Sequence, residues 1–181
     1  AASASCYGNV KTLPTNELAP IDLNLPYSLT KWLGEQLVMY YSNFYKLPAT
    51  SLRLFNVYGP RAKIKGTYGS VLSIFLKQKL ERKPLTIIGN GEQSRDFIYV
   101  DDVVNAFIKA SNILNYSQIF NIGSGKSIKI NDLAKIIGGE KTYIKKHNNE
   151  IEHSLADILK AKENLKWIPA VNLESGISKL F

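Results

Sequence analysis

The sequence predicts an α/β fold, and the spacing of its apolar residues carries that prediction. Segments in which apolar residues recur with a period of two alternate with segments in which they recur near 3.6, the periods of strands and helices. No internal repeat or low-complexity tract interrupts this alternation. The chain has 181 residues, of which 45% are hydrophobic and 21% charged, a composition typical of a soluble globular protein with one or two compact units.

The first half of the chain alternates strands and helices. Small residues at 1–5 suit the end of a buried strand, and Pro26 lies where a helix is predicted to start. Residues with helical spacing, Val71, Ile74, Phe75 and Gln78, indicate a second helix. The predicted elements, in order, are a strand end at 1–5, a loop to Leu25, a helix over about 27–45 with Asn24 or Pro26 near its start, a strand at 50–55, a loop at 56–61 and a helix over about 70–82.

The second half continues the alternation. Asp101 is predicted to cap a helix whose buried face carries Val103, Val104, Phe107 and Ile108. The predicted elements, in order, are a strand at 85–88, a turn at Asn90–Gly91, the helix after Asp101, a strand at 119–122, a short helix from Asn131 to Ile137, a strand at 142–145, and helices over about 155–165 and 173–180.

Charge and cysteine content narrow the classes of function. The net charge of +8 leaves a nucleic-acid surface, an anionic small substrate and solvated lysines as alternatives. The one dense basic patch, at 141–147, comes with no RNA-binding or zinc-finger signature, so nucleic-acid binding is not expected. Cys6 is the single cysteine, and no Cys/His cluster has the spacing of a metal site.

The ends of the sequence and its hydropathy bear on location. No apolar run is long enough for a signal peptide or a membrane span, so the expected location is cytoplasmic. The chain starts at Ala1 without an initiating Met, and we expect it to be the carboxyl-terminal part of a longer protein.

The sharpest chemical feature is a tyrosine and a lysine four residues apart on the first predicted helix. Tyr27 and Lys31 therefore lie on one face, where the ammonium would stabilise a phenolate and let it act as a base. Ser3, at the end of the preceding strand, could hydrogen-bond a substrate hydroxyl and pass its proton to Tyr27. By itself the spacing is common, and the alternative is an ordinary packed helix.

Taken with its flanking segments, the chain resembles the NAD-dependent epimerase/dehydratase family of extended short-chain dehydrogenases/reductases, and within it the UDP-sugar 4-epimerases. The resemblance spans nearly the whole chain. It rests on segments in the family's order: SASCYG at 3–8, PYSLTK at 26–31, LRLFNVYGPR at 52–61, GNGEQSRDFIYVDD at 89–102, and HSLAD at 153–157 with LKWIP at 165–169.

The resemblance implies a role for each matched residue of the catalytic and cofactor sites. Tyr27 would be the catalytic base, Lys31 its partner and a ligand of the nicotinamide ribose, and Ser3 the hydrogen-bond partner of the sugar hydroxyl that is oxidised. Leu54 and Asn56 would also lie against the NAD cofactor. The family's glycine-rich turn, which brings a helix N-terminus to the pyrophosphate, has no counterpart in this sequence.

The resemblance also implies a nucleotide-sugar site. Arg95 would pair with the phosphates, for which a guanidinium fork is suited, although a surface ion pair with Asp96 or Glu92 is an alternative. The remaining substrate-binding candidates are Ser3, Asn56, Val71 with the segment before it, Ile87 with the strand at 85–88, His147 and Ser154.

Three departures from the family's patterns narrow the reaction. The 4,6-dehydratases have an Asp-Glu pair where this chain has Ala4 and Ser5, so dehydration and decarboxylation are disfavoured. A small residue at Ser154 leaves room for an acetamido or carboxylate group on the sugar. Many relatives have a second phosphate-binding Arg where this chain has His147, which lacks the same fork.

The resulting expectation is a partial Rossmann-type parallel sheet interwoven with a smaller α/β substrate-binding lobe. Residues 1–55 and 97–122 would belong to the NAD-binding domain, and residues 56–96 and 123–181 to the lobe. The expected activity is C4 epimerisation of UDP-glucose, UDP-N-acetylglucosamine or UDP-glucuronate through a keto sugar, in a homodimer formed through the Tyr27 helix and its neighbour. The alternatives are an NADP-dependent keto-sugar reductase and a catalytically silent nucleotide-sugar binding module.

Overall fold

The computed structural model describes residues 1–62, 70–113, 116–146 and 151–181, and it confirms the α/β prediction. The elements, in chain order, are β1 (Ala2–Ser3), a 3-10 helix (Ala4–Tyr7), α1 (Pro26–Tyr45), β2 (Thr50–Leu54), β3 (Asn56–Tyr58), α2 (Val71–Leu80), β4 (Leu85–Ile88), β5 (Ser94–Tyr99), α3 (Val100–Ser111), β6 (Gln118–Ile122), β7 (Ser127–Lys129), α4 (Ile130–Ile137), β8 (Lys141–Ile144), α5 (Leu159–Leu165) and α6 (Leu173–Ser178).

A parallel sheet in the order β1-β2-β6 carries the first catalytic candidate. Ser3 pairs with Leu54 of β2, which in turn pairs with Ile122 of β6, so the carboxyl ends of the three strands meet at one edge. Helix α1 packs against β1 and β2, while α3 packs on β2 and α5 on β6. Because loops that follow strand carboxyl ends bear the ligands in open α/β sheets, this edge is where a site is expected.

Two further sheets lie beyond this edge. β5 joins β3 in parallel and β7 in antiparallel order, and β4 pairs in parallel with β8. The loop predicted at 56–61 is wrong for residues 56–58, which form β3 and pair with 97–99. The chain therefore changes sheets between Leu54 and Asn56. A strand of three residues is too short to show a repeating alternation of apolar and polar side chains, so the sequence pattern at 56–58 did not predict it.

Two predicted helix caps are wrong, because both helices start earlier than expected. Tyr99 is the N-cap of α3 and Asp101 lies in its first turn; Lys129 caps α4 in place of Asn131. The buried face of α3 is also rotated from the prediction. It presents Asp102, Val103 and Ala106, whereas the three other predicted core residues, Val104, Phe107 and Ile108, are exposed.

Hydrogen bonds explain why Asp102 belongs to the buried face of α3. The Asp102 carboxylate accepts the amides of Ala170 and Val171 at 2.9 and 3.0 Å, and its carbonyl accepts the Trp167 indole N–H at 3.0 Å. These bonds satisfy a polar residue in the interior, which a hydrophobic pattern would place outside. They also hold the carboxyl-terminal segment against α3, which packs on the parallel sheet. Trp167 of this segment is fully buried.

Helix α5 starts at Leu159, four residues later than the predicted start near 155. Residues before it are extended and bridge the loop that follows the 3-10 helix. The Thr15 amide donates to the Leu155 carbonyl at 2.8 Å, and the Asp157 amide donates to the Thr15 carbonyl at 2.9 Å. This bridge brings the 152–157 segment close to the residues that follow Ser3.

Candidate active site

Helix α1 presents Tyr27 and Lys31 on one face, at its amino-terminal end. Pro26 occupies the first helical turn, and Leu25 is the extended N-cap. Ser28 accepts the Leu25 amide at 3.2 Å and donates to the Leu25 carbonyl at 2.7 Å, which closes the first turn. The Tyr27 side chain is 44% exposed and Lys31 is half-buried, so both can be reached by a ligand.

Ser3 lies across from this helix at the end of β1. Its Oγ accepts the Ser5 amide at 3.2 Å and so caps the 3-10 helix, leaving the hydroxyl proton available to another acceptor. Helix α1 packs against β1, so the three predicted residues lie on two adjoining elements.

Ser5 is a further candidate that the sequence analysis used only to argue against dehydration. Its Oγ is buried and has no hydrogen-bond partner among the described residues. Buried hydroxyl groups are normally paired, so an unpaired one two residues from Ser3 is suited to a bound polar ligand. Its position after Ser3 was the signal available in the sequence.

The predicted phosphate and sugar residues are also brought together, around β5. Arg95 Nη1 donates to the carbonyls of Ser94 and Glu152 at 2.8 and 3.3 Å. The Ser154 amide donates to the Ser94 carbonyl at 3.1 Å, which places Ser154 beside Arg95. Asn56, the first residue of β3, donates from Nδ2 to the Asp96 carbonyl at 3.1 Å.

The acids proposed as alternative partners of Arg95 have other contacts. Glu92 forms an exposed ion pair with Lys129 at 2.8 Å, which lowers the pKa of its carboxyl group, mainly through that hydrogen bond. Asp96 is buried and accepts hydrogen bonds from three amides and one hydroxyl, at Ser124, Gly125 and Ala156.

The other predicted ligand residues differ in accessibility. Leu54 is half-buried at the carboxyl end of β2, next to Ser3, and Val71 is half-buried at the start of α2. Ile87 is fully buried in the core formed by α2, β4 and α4, and the neighbouring Thr86 and Ile88 are half-buried on the opposite face of the strand. His147 and residues 68–69 of the substrate-binding segment predicted before Val71 lie outside the described residues.

The residues present fit the nicotinamide end of NAD. A phenol and an ammonium stand one helical turn apart, accessible, beside the carboxyl ends of β1 and β2. They match the needs of a group that binds by ribose hydroxyls and exchanges a hydride with a nearby sugar. The pyrophosphate-binding turn is not part of this sequence, so the fit concerns this end of the cofactor alone.

Comparison with known proteins identifies the family. A model of the NAD dependent epimerase/dehydratase family matches residues 1–123. The chain belongs to this family. The resemblance stated from the sequence motifs is thereby confirmed, and NAD is the cofactor that the family's description names.

Several of the similar relatives and solved structures are sugar-nucleotide epimerases. UDP-glucose 4-epimerase of Mycolicibacterium smegmatis is 34% identical over 98% of this chain and 58% of its own length. The structure of UDP-N-acetylglucosamine 4-epimerase from Methanobrevibacter ruminantium, with UDP-N-acetylmuramic acid, has a TM-score of 0.91 at 29% identity, covering 98% of this chain and 59% of that one.

A third comparison includes the cofactor. UDP-glucuronic acid 4-epimerase from Bacillus cereus, solved with UDP-glucuronic acid and NAD, gives a TM-score of 0.88 at 33% identity, covering 98% of this chain and 58% of that one. The predicted Rossmann-type architecture is confirmed by these structures. The chain spans slightly under three-fifths of the length of the relatives that it matches.

A buried ion pair next to the catalytic candidates was not predicted. Glu35 of α1 is 5% exposed and Arg53 of β2 is 3% exposed, and Arg53 Nη2 lies 2.6 Å from Glu35 Oε1. Arg53 Nε reaches both carboxylate oxygens, and Ser51 Oγ donates to Oε2 at 2.9 Å. The arginine was present in the family motif at 52–61, but its partner lies 18 residues away.

The described residues include no helix long and apolar enough to cross a membrane. Within the same residues, no group of three His, Cys, Asp or Glu side chains is arranged to hold a metal ion.

Proposed function

We propose that this chain carries the catalytic residues and most of the substrate site of an NAD-dependent UDP-sugar 4-epimerase. The observation that supports the proposal is that Ser3 ends β1 and that α1, which carries Tyr27 and Lys31 near its start, packs against this strand in a member of this family. Ala4 and Ser5, in place of an acid pair, supply no extra acid and base for the elimination of water.

Each residue has a defined task in this reaction. Tyr27, as phenolate, removes the proton of the C4 hydroxyl, and Ser3 hydrogen-bonds the same oxygen and relays the proton. Lys31 stabilises the phenolate with its positive charge. NAD, when bound, supplies the hydride acceptor and later the donor. After the 4-keto sugar rotates in the site, Tyr27 returns the proton to the oxygen on the other face.

The substrate class follows from the β5 region. Arg95 has the planar fork that suits a diphosphate, and Ser154 beside it is small enough to leave room at the sugar. UDP-glucose, UDP-N-acetylglucosamine and UDP-glucuronate are therefore all candidates. Residues 1–55 and 97–122 are assigned to the NAD-binding domain in this proposal, and 56–96 and 123–181 to the substrate lobe.

A homodimer through α1 is part of the proposal. Four aromatic side chains are exposed along the second half of this helix and contact one another in stacked and edge-to-face pairs: Tyr40, Tyr41, Phe44 and Tyr45. Exposed contiguous apolar surface of this kind is characteristic of an interface. The expected readout is a dimeric mass for the full-length gene product by light scattering, shifted towards monomer by Phe44→Lys.

The test of the reaction uses the full-length gene product with NAD and each of the three UDP-sugars. The expected result is a C4 epimer of at least one sugar, absent with Tyr27→Phe and strongly reduced with Lys31→Met. Net formation of NADH or NADPH-dependent reduction of a keto sugar would replace the epimerase by a reductase. Binding of UDP-sugars without turnover would leave only a binding module.

A further inference from the structure

The buried pair of Glu35 and Arg53 joins α1, which carries Tyr27 and Lys31, to β2, the strand that pairs with the Ser3 strand β1. Glu35 follows Lys31 by four residues and Tyr27 by eight, so all three side chains point from one side of α1. Arg53 pairs with Ala2, the residue before Ser3, across the parallel ladder of β1 and β2. The pair thus joins α1 to the strands at the level of the candidate site.

The geometry of the pair is restrictive. The carboxylate receives Arg53 Nε at 2.9 Å and Nη2 at 2.6 Å, one on each of its oxygens, which fixes both distance and orientation. Ser51, two residues earlier on the same face of β2, adds a third donor. A side-on guanidinium fork of this kind tolerates little sliding or rotation of the helix on the sheet.

The remaining guanidinium nitrogen extends the contact to the segment after Ser3. Arg53 Nη1 donates to the Tyr7 hydroxyl at 2.8 Å, and the guanidinium carbon lies 4.9 Å from the centre of the Tyr7 ring. Tyr7 in turn donates to Asn121 Oδ1 at 2.7 Å. Tyr7 ends the 3-10 helix that Ser3 caps, so Arg53 contacts both the catalytic helix and the serine's own turn.

Arg53 also neutralises a carboxylate one helical turn from Lys31. Without that partner, Glu35 would attract the lysine ammonium, because residues four apart on a helix are neighbours. The ammonium would then be drawn away from the phenol of Tyr27.

We propose that Glu35 and Arg53 are positioning residues, whose buried pair fixes α1 on β2 and holds Tyr27 and Lys31 opposite Ser3. The inference rests on the proposed function, since it assigns these residues to the same reaction. Stability alone does not require the pair, because well-packed apolar residues often replace a buried ion pair without loss. A displacement of about 1 Å at reacting groups, in contrast, can reduce turnover roughly 100-fold.

The test replaces both charges together by side chains of similar length, Glu35→Met with Arg53→Met, in the full-length gene product. We expect a folded protein whose kcat falls about 10-fold or more, with the KM for the UDP-sugar within about twofold of wild type. If the pair served stability alone, its replacement in a folded protein would not lower kcat while leaving the KM nearly unchanged. The matched control is Asp132→Asn with Lys135→Met, which removes an exposed ion pair of 2.7 Å on α4 and is expected to leave both parameters unchanged.

Hydrogen exchange separates this inference from the proposed reaction. Faster amide exchange at residues 27–31 in the double-Met variant supports the positioning role, even if wild type proves to have no epimerase activity. Wild-type kcat in the folded double-Met variant overturns the inference. If wild type shows no epimerase activity, unchanged exchange at 27–31 overturns it instead.

Milder variants keep the inference testable if the double-Met variant does not fold. Arg53→Lys retains the charge but not the fork, and Tyr7→Phe removes the contact to the turn after Ser3. A lower kcat in both, with unchanged melting temperature, supports the role; wild-type kcat in both overturns it.

Discussion

Two buried carboxylates flank the candidate site, and they are held by different means. Glu35 is neutralised by a side chain, the Arg53 guanidinium, whereas Asp96 accepts four hydrogen bonds from amides and a hydroxyl of two loops. Burial opposes the charge of Arg53, but its hydrogen bonds to Glu35 and Tyr7 outweigh that effect and raise the pKa of its guanidinium. Burial raises the pKa of Asp96 in spite of its donors.

The difference shows two ways of building a site from remote segments. The ion pair joins a helix to a strand, both of them regular elements, and fixes their relative orientation. Asp96 instead gathers backbone groups at 124–125 and 156, next to Arg95 and Ser154, and so shapes the loops of the substrate side. We expect loss of the first to affect turnover and loss of the second to affect substrate affinity.

The largest effect on stability is expected from removing one partner of the ion pair. Glu35→Ala leaves the Arg53 charge buried without compensation, which should lower the free energy of unfolding by about 3–5 kcal/mol. Urea unfolding of the variant and wild type measures this difference. A loss of unfolding free energy no greater than that for an exposed ion pair would contradict the claim that Glu35 neutralises a buried Arg53 charge.

A smaller effect is expected at the second carboxylate. Asp96→Asn keeps the shape but turns an amide group towards amides that need an acceptor, at a cost of about 2 kcal/mol. Loosening of the loops beside Arg95 should raise the KM for the UDP-sugar several-fold, with little change in kcat. Steady-state kinetics measures the change in KM, and urea unfolding measures the loss of stability. A fall in kcat at constant KM would contradict the claim that Asp96 affects substrate affinity whereas the Glu35–Arg53 pair affects turnover.

Much of this comparison was beyond the sequence, for physical reasons. The Tyr27–Lys31 pair, α1 and the alternation of strands and helices along the chain were predictable, because each depends on local spacing over a few residues. The roles of Asp96 and Arg53 depend on partners far along the chain, at 124–156 and at 35. The short strand β3 likewise owes its existence to a neighbour 41 residues away at Phe97.

The last predicted effect is a difference in pH dependence between the two regions. Beside the ion pair, burial raises the pKa of Cys6 from 9.0 to about 11 and that of Tyr7 from 10.0 to about 12. Below pH 9 both groups keep their protons in the folded and unfolded chain. Above it the unfolded chain loses them first, so the free energy of unfolding falls between pH 9 and 12.

The Asp96 region responds at the other end of the pH scale. Its carboxyl pKa is raised above 3.8, so its contribution to stability is full below that pH and is lost as the pH rises through the folded value. Urea unfolding across both ranges, with Tyr7→Phe and Asp96→Asn as probes, measures each slope. An alkaline slope that Tyr7→Phe leaves unaltered would contradict the assignment.

The most direct test of the central claim follows a hydrogen atom. The full-length gene product is incubated with NAD and a UDP-sugar that carries deuterium at C4, and the epimer is analysed by mass spectrometry. If Tyr27, Lys31 and Ser3 serve hydride removal and return at one carbon, the product keeps its deuterium. Loss of the label to solvent, or no epimer with any of the three UDP-sugars, would contradict the account.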